Sequence, residues 1–256
     1  MELNVGIEGF RRGMSIKEVT VPEEMQHRIK TGLAYIDDAL GQDKHGVHGC
    51  MPSSVIFFTG VPGGGKTTLM LQLADSIAGI HGSQSILFNT AEESLYQTKL
   101  MSDRLRLRHG FVAGQDRLVD DILSHADEVN AKVIVVDSLQ TLWDDIAVKR
   151  GGTNSRTPTR VLQQLTDWAK SNYKVVVAIG QVAKNGQFKG DNTLKHIVDV
   201  HLHLDINQDE KSDIPIGVRM MEVQKNRFGC GGLTYFLKMC ESGGGLREIA
   251  GMRTSV

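Results

Sequence analysis

The chain has 256 residues, 40% of them apolar and 23% charged, and 29 basic against 30 acidic side chains leave a formal net charge of −1. Such a composition suits a globular protein with one large domain and a full core, and it lacks the global basic field of a chain that coats nucleic acid, so any DNA contact would rest on local loops. No run of about 18 apolar residues marks a membrane span, and Met1-Glu2-Leu3-Asn4-Val5 lacks the basic start and apolar core of a secretory leader, which makes a cytoplasmic location the default expectation.

Residues 1–27 are polar and mixed in charge and read as an N-terminal arm, a possible contact between copies, ahead of a domain spanning 28–256 whose core begins near Thr31. Short apolar runs then alternate with amphipathic ones. Val55 to Phe58 reads as a buried strand, and the segment after Lys66, with Leu69, Leu71, Leu73, Ala74 and Ile77, reads as a helix. A strand is expected at Ile86 to Phe88, helices at about Ser94 to Arg108 and Arg117 to Asn130, and a strand at Val133 to Val136. A helix from about Thr159 to Ser171 precedes a further buried strand at Val175 to Ile179. Alternation of this kind predicts an α/β fold with a mostly parallel central sheet flanked by helices. Val200 to Leu204, Val218 to Val223 and Leu233 to Leu237 follow with little helix between them, so the sheet is expected to end in antiparallel strands. Asp205 to Asp213 reads as a solvated hairpin loop. Cys50, Cys230 and Cys240 are odd in number and far apart, which suits reduced thiols better than disulfides or a four-cysteine zinc site.

Between the first strand and the helix that follows it, Gly60-Val61-Pro62-Gly63-Gly64-Gly65-Lys66-Thr67 fits the pattern G-x-x-x-x-G-K-[ST] at every fixed position, and Thr68 continues it into the helix. A glycine-rich turn lets backbone N–H groups close around phosphate oxygens, and the helix points its positive end at the same anion. Lys66 would reach the β and γ phosphates of ATP, and the Thr67 hydroxyl would ligate Mg2+.

Asp137 closes the apolar strand Val133 to Val136, the Walker B arrangement. Ligands of open α/β sheets bind beyond the carboxyl ends of the strands, so Asp137 would emerge beside the phosphates and hold a magnesium-bound water. Glu92 and Glu93 follow the strand Ile86 to Phe88. Either could take a proton from the water that attacks the γ phosphate, and an acidic pair at a helix start also complements the helix dipole. Gln181, just past the strand from Val175, is placed to sense the γ phosphate or simply to face solvent.

Two stretches read as mobile, Asp144 to Thr159 with Lys149, Arg150 and Arg156, and Val182 to Thr193 with Lys184 and Lys189. Glycine with spaced cations suits a loop that holds a DNA backbone through its phosphates, and equally a solvated surface loop. Lys225 and Arg227, spaced i, i+2 at the end of a strand, would share a face and suit one anion, either on a neighbouring copy or as the charged edge of a sheet. His201 and His203 also share a strand face, with Asp205 the only nearby acid, which favours satisfied imidazoles over a metal site.

Taken together these segments resemble the ATPase core of the RecA-like P-loop superfamily, and within it bacterial RadA. The marks are Lys225-Asn226-Arg227-Phe228-Gly229, Ala91-Glu92-Glu93-Ser94, Val136-Asp137-Ser138-Leu139-Gln140-Thr141, Gly180 to Asp199 and Arg28 to Leu40, spread over about residues 28 to 249. The resemblance implies that Glu92 is the base, that Lys225 and Arg227 are fingers acting on a neighbour's phosphates, and that the segments after Leu142 and Gln181 bind DNA. RadA proteins typically also carry an N-terminal four-cysteine zinc module and a C-terminal Lon-like domain, which this sequence does not contain, and usually have histidine where Gln181 stands. The expected function is that of a minimal DNA motor driven by ATP and Mg2+, assembled as a hexameric ring or filament on single-stranded or branched DNA, with replication or recombination proteins as further partners and no membrane. The same phosphate site would serve a nucleotide-switched, KaiC-like assembly protein with a protein partner, or a helicase loader.

Overall fold

The structure, a computed structural model, describes residues 11–181, 193–240 and 244–253. Two short 3-10 turns, Ile16–Glu18 and Glu23–Met25, lead to α1 (Ala34–Leu40), β1 (Ser54–Gly60), α2 (Lys66–His81), β2 (Ile86–Thr90), α3 (Leu95–Leu105) and β3 (Val112–Gly114). The chain continues through α4 (Val119–Glu128), β4 (Val133–Asp137), α5 (Asp145–Arg150), α6 (Thr157–Ser171) and β5 (Val175–Gln181). It ends with α7 (Thr193–Ile197), β6 (Val200–Ile206), β7 (Arg219–Asn226), β8 (Leu233–Met239) and β9 (Leu246–Arg253). Among the described residues these strands form one nine-stranded sheet in the order β3-β2-β4-β5-β1-β6-β7-β8-β9.

The central strands are apolar along their whole length because both faces of the sheet are covered. Side chains alternate between faces along a strand. Accordingly Ile56, Phe58 and Phe88 join the layer with α1 and α2, whereas Val55, Phe57, Leu87 and Ile134 join the layer with α4 and α6. Phe57, Phe58 and Phe88 are wholly buried, each contributing about 2–3 kcal/mol of transfer free energy. The parallel register pairs Gly60 with Gln181 and Thr90 with Asp137, so the carboxyl ends of β1, β2, β4 and β5 finish together.

Most of the expected elements are present, the strands running longer and two of the helices shorter than read. The helix read from Ser94 begins at Leu95, because Ser94 is its N-cap in a capping box with Gln97, and it stops at Arg106, whose φ of 56° is left-handed. The helix read from Thr159 starts at Thr157 with a proline in its first turn. One reading is refined and one corrected. The sheet does end in antiparallel pairs, β6 with β7, β7 with β8 and β8 with β9, while β6 also pairs parallel with β1, so the reversal begins at β7 and not at β6. The stretch Asp144 to Thr159 is not an open loop: it contains α5 and a tight turn in which Asn154 Oδ1 accepts the backbone N–H groups of Arg156 and Thr157.

Asp144 anchors that stretch. Its carboxylate accepts the Ala147 N–H at 2.8 Å as N-cap of α5 and pairs with the Arg160 guanidinium of α6, which holds the carboxyl below its usual range. Asp144 is buried, so removing it strands the arginine beside a lost cap. Asp144→Ala is expected to cost about 3 kcal/mol in denaturant unfolding, and Asp144→Asn less, because its amide oxygen still caps Ala147. Equal costs for the two variants would show that the charge pair carries the whole effect.

Candidate active site

The phosphate-loop pattern leaves β1 at Gly60 and ends at Thr67, the second residue of α2. Gly60 tolerates no side chain, since a Cβ there would lie 2.3 Å from the Leu204 carbonyl of β6. Gly63 and Gly65 have φ of 74° and 100°, left-handed values that glycine adopts without strain. The turn carries the Lys66 ammonium back over itself, where it donates to Gly60 O at 2.9 Å and Val61 O at 3.0 Å. Burial lowers the pKa of Lys66, and Asp137 and Glu92 work against that by favouring its charge.

Opposite the loop, Thr67 Oγ1 donates to Asp137 Oδ2 at 2.6 Å. Burial pushes the Asp137 carboxyl up to about 6; the Thr67 hydrogen bond opposes this, and the nearby Glu92 and Glu93 reinforce it. The Ala91 N–H donates to the Asp137 carbonyl at 2.7 Å and ties the end of β2 to the end of β4. Glu92 follows that tie. Its Oε1 accepts the Ser138 hydroxyl, and Gln181 Nε2 donates to Oε1 at 3.0 Å and to Oε2 at 3.3 Å. The backbone of Glu93 is held by the Thr90 hydroxyl. Thus Glu92 bridges β4 and β5 through its carboxylate, a difference between the two acids that their adjacent positions do not display.

These groups line one cavity of about 440 Å3 with Pro62, Gly63, Gly65, Lys66, Thr67, Thr68, Glu92, Glu93, Asp137 and Gln181 in its wall. Ile179 of β5, Met101 and Arg104 of α3 and Met239 of β8 complete it, and nothing in the sequence analysis points to Met101, Arg104 or Met239. Arg104 carried a signal, as a cation on the helix that follows the acidic pair. A methionine on a distant strand carried none. The donor set suits a nucleoside triphosphate with a hard divalent cation: an ammonium and loop N–H groups for phosphate oxygens, a hydroxyl and a carboxylate oxygen for magnesium. Among the described residues no group of three or more histidine, cysteine or acidic side chains forms another metal site.

Lys225 and Arg227 stand elsewhere. Only Lys225 lies in β7, and Arg227 follows the strand end, so the strand-face expectation is corrected. The two side chains nevertheless converge. Lys225 Nζ donates to Lys195 O at 2.8 Å and Val198 O at 2.7 Å, and Arg227 pairs with Asp199 at 3.0 Å, closing the C-terminal end of α7. The Asp199 N–H bonds to Val55 at the start of β1, whereas the phosphate loop leaves the far end of that strand. Five residues of strand place the two ends about 16 Å apart. The rest of the segment is structural: Asn226 Nδ2 donates to Ala39 O and Leu40 O, and buried Arg28 donates to Leu40 O, Gly49 O and Phe228 O.

Of the candidate DNA contacts, Lys149 and Arg150 are exposed in the last turn of α5, and Arg156 is exposed at the start of α6. None makes an ion pair with another described residue. Lys184 and Lys189 lie outside the described residues. His201 and His203 are satisfied by one hydroxyl, Thr59 Oγ1, at 2.8 and 2.9 Å.

A phosphate loop on a parallel sheet, with acidic residues at neighbouring strand ends, defines a P-loop nucleotide-binding core of the RecA-like class. Residues 53–218 match a family model described as Schlafen group 3, DNA/RNA helicase domain. The DNA repair protein RadA of Aquifex aeolicus is 30% identical over 233 residues, covering 90% of this chain and 48% of that protein. RadA of Mycolicibacterium smegmatis is 34% identical over 206 residues, 78% of this chain and 41% of that one. The crystal structure of a KaiC-like protein from Pyrococcus horikoshii superposes with a TM-score of 0.68 at 18% identity, over 88% of this chain and 99% of that one. The chain therefore belongs to the helicase-domain family that the model describes, and its core is similar in sequence to RadA and has the RecA-like fold. It spans about half the length of the RadA proteins it matches. No helix among the described residues is long and apolar enough to cross a membrane.

The histidine pair gives a pH prediction. Burial pushes His201 down to about 3, helped by Lys195, and also lowers His203. Below the unfolded value of about 6.5 the unfolded chain binds a proton that folded His201 refuses. Stability therefore falls as pH drops from about 6.5 towards 3, by up to about 1.4 kcal/mol per pH unit for His201, and His203 acts in the same direction. His201→Gln is expected to flatten the dependence of the urea midpoint on pH between 6 and 4; an unchanged slope would place the acid sensitivity elsewhere.

Proposed function

We propose that the chain is an ATP-hydrolysing DNA motor of RadA/RecA type that works as a homo-oligomer, ring or filament, on single-stranded or branched DNA in recombination, repair or replication. The observation that carries this reading is the meeting of Lys66, Thr67, Asp137, Glu92 and Gln181 in one cavity at the ends of four parallel strands. Lys66 exchanges its two loop carbonyls for phosphate oxygens, and the N–H groups of the Gly60 to Thr68 turn hold the same anion. Thr67 and Asp137 would hold Mg2+, which when bound supplies charge neutralisation on the β and γ phosphates. Glu92 orients the attacking water and takes its proton at a carboxylate oxygen. Gln181, bonded to Glu92, links the state of that carboxylate to the segment after β5.

Lys225 and Arg227 sit too far from their own phosphate loop to serve it, which supports action on a neighbouring copy. Lys149, Arg150, Arg156, Lys184 and Lys189 would then hold the DNA backbone as point charges, without reading bases. The RadA relatives are named for DNA repair, and the matched family model is named for a DNA/RNA helicase domain.

The purified protein is expected to hydrolyse ATP and to be stimulated by single-stranded DNA. Lys66→Ala should lower turnover by at least about 100-fold, in line with the loss of an electrostatic group at the transferred phosphate. Replacing Lys149, Arg150 and Arg156 together should weaken DNA binding and reduce its salt slope by about two to three. Hydrolysis indifferent to DNA, with binding unchanged in the triple variant, would overturn the DNA role and favour a nucleotide-switched assembly protein.

A further inference from the structure

Asp199 belongs to neither the phosphate cavity nor the cation pair, yet it is held on three sides. Its side chain is 4% exposed, its Oδ2 accepts the Val55 N–H at 3.1 Å, and its own N–H donates to Val55 O at 3.0 Å. Its carbonyl accepts the Arg227 N–H at 3.1 Å. The remaining carboxylate oxygen, Oδ1, accepts Arg227 Nη1 at 3.0 Å. A carboxylate fixed to β1 in this way is a rigid partner for a side chain that is itself 49% exposed. Among the described residues Arg227 Nη2 has only a 3.4 Å contact to His196 O. One corner of the guanidinium is therefore clamped, on a side chain that is about half exposed.

We propose that Asp199 is a positioning residue for Arg227, holding one corner of the guanidinium so that the free donors are presented to the phosphates bound by a neighbouring copy. The proposal rests on the reading that Arg227 acts in trans. Its physical basis is entropy: an arginine carries many rotamers, and fixing one end of its fork before association lowers what remains to be ordered when the fork meets a phosphate. Lys225, which spends its ammonium on two carbonyls of the same turn, braces the platform from the other side.

Asp199→Asn tests this, because the amide oxygen still accepts the Val55 N–H while the amide nitrogen, itself a donor, replaces the oxygen that holds Arg227, so the hold on the guanidinium is released. The variant should melt within a few degrees of the parent and show a kcat lowered by about tenfold with KM changed by less than about threefold, the pattern of a group acting in the transition state. In an Arg227→Gln background Asp199→Asn should cause no further loss, since it would act only through the arginine. Co-expression with Lys66→Ala subunits, whose Arg227 is intact, should restore turnover at the Asp199→Asn subunits' sites, as it should for Arg227→Gln. An unchanged kcat, an added loss in the Arg227→Gln background, or failure of complementation for Asp199→Asn alone would overturn the positioning role. Failure of Arg227→Gln itself to be complemented would instead remove the trans arginine, and with it both readings.

Discussion

The hydrogen bond from Thr67 to Asp137 is the interaction on which the rest of the site depends. It joins the first turn of α2 to the end of β4, and β5 lies between β1 and β4 in the sheet. Only strands in parallel register can bring a hydroxyl and a carboxylate together across an intervening strand, because only then do their carboxyl ends coincide. The covering helices make that register a buried property, so a slip would expose whole rows of Val, Ile and Phe as well as misalign the site.

That placement has an electrostatic consequence. Lys66, Asp137, Glu92 and Glu93 share a cavity in which burial opposes the charge of both Lys66 and Asp137. Each is sustained by its partners: the ammonium by loop carbonyls and acids, Asp137 by Thr67, Glu92 by Ser138 and Gln181. Such an arrangement is poised to exchange partners with a polyanion and a dication, since both entering charges replace interactions already aimed into the same space.

The parts of this arrangement legible in the sequence are those whose chemistry fixes local spacing. The glycine-rich turn needs its glycines next to Lys66, and Asp137 must end an apolar strand, so both could be named from residues alone. Glu92 and Glu93 could not be separated by position, because the difference lies in Ser138 and Gln181, which approach from two other strands. β3, three residues including a glycine, and β9, with Arg247, Glu248 and Arg253 among its residues, show no apolar run, and α1 is too short for a helical period. These elements owe their state to neighbours: β3 to its pairing with β2, β9 to β8. The Asp144 stretch looked mobile for the same reason, since the Arg160 pair that orders it joins residues sixteen apart.

The position of Lys225 and Arg227 decides how the proposed chemistry would be shared between copies. They grip the turn between α7 and β6, which bonds to the start of β1, and the phosphate loop leaves the end of β1, so one buried strand would relate the two proposed surfaces from opposite ends. Phe57 and Phe58 lock that strand between both apolar layers, and packed cores of this kind transmit displacement instead of absorbing it. A surface on one end that fits the other end of the next copy is heterologous, and it closes into a ring or extends as a filament according to the rotation between copies. On the proposed reading each phosphate site is then half of a contact, and β1 is the rigid strut that relates the half a subunit receives to the half it gives.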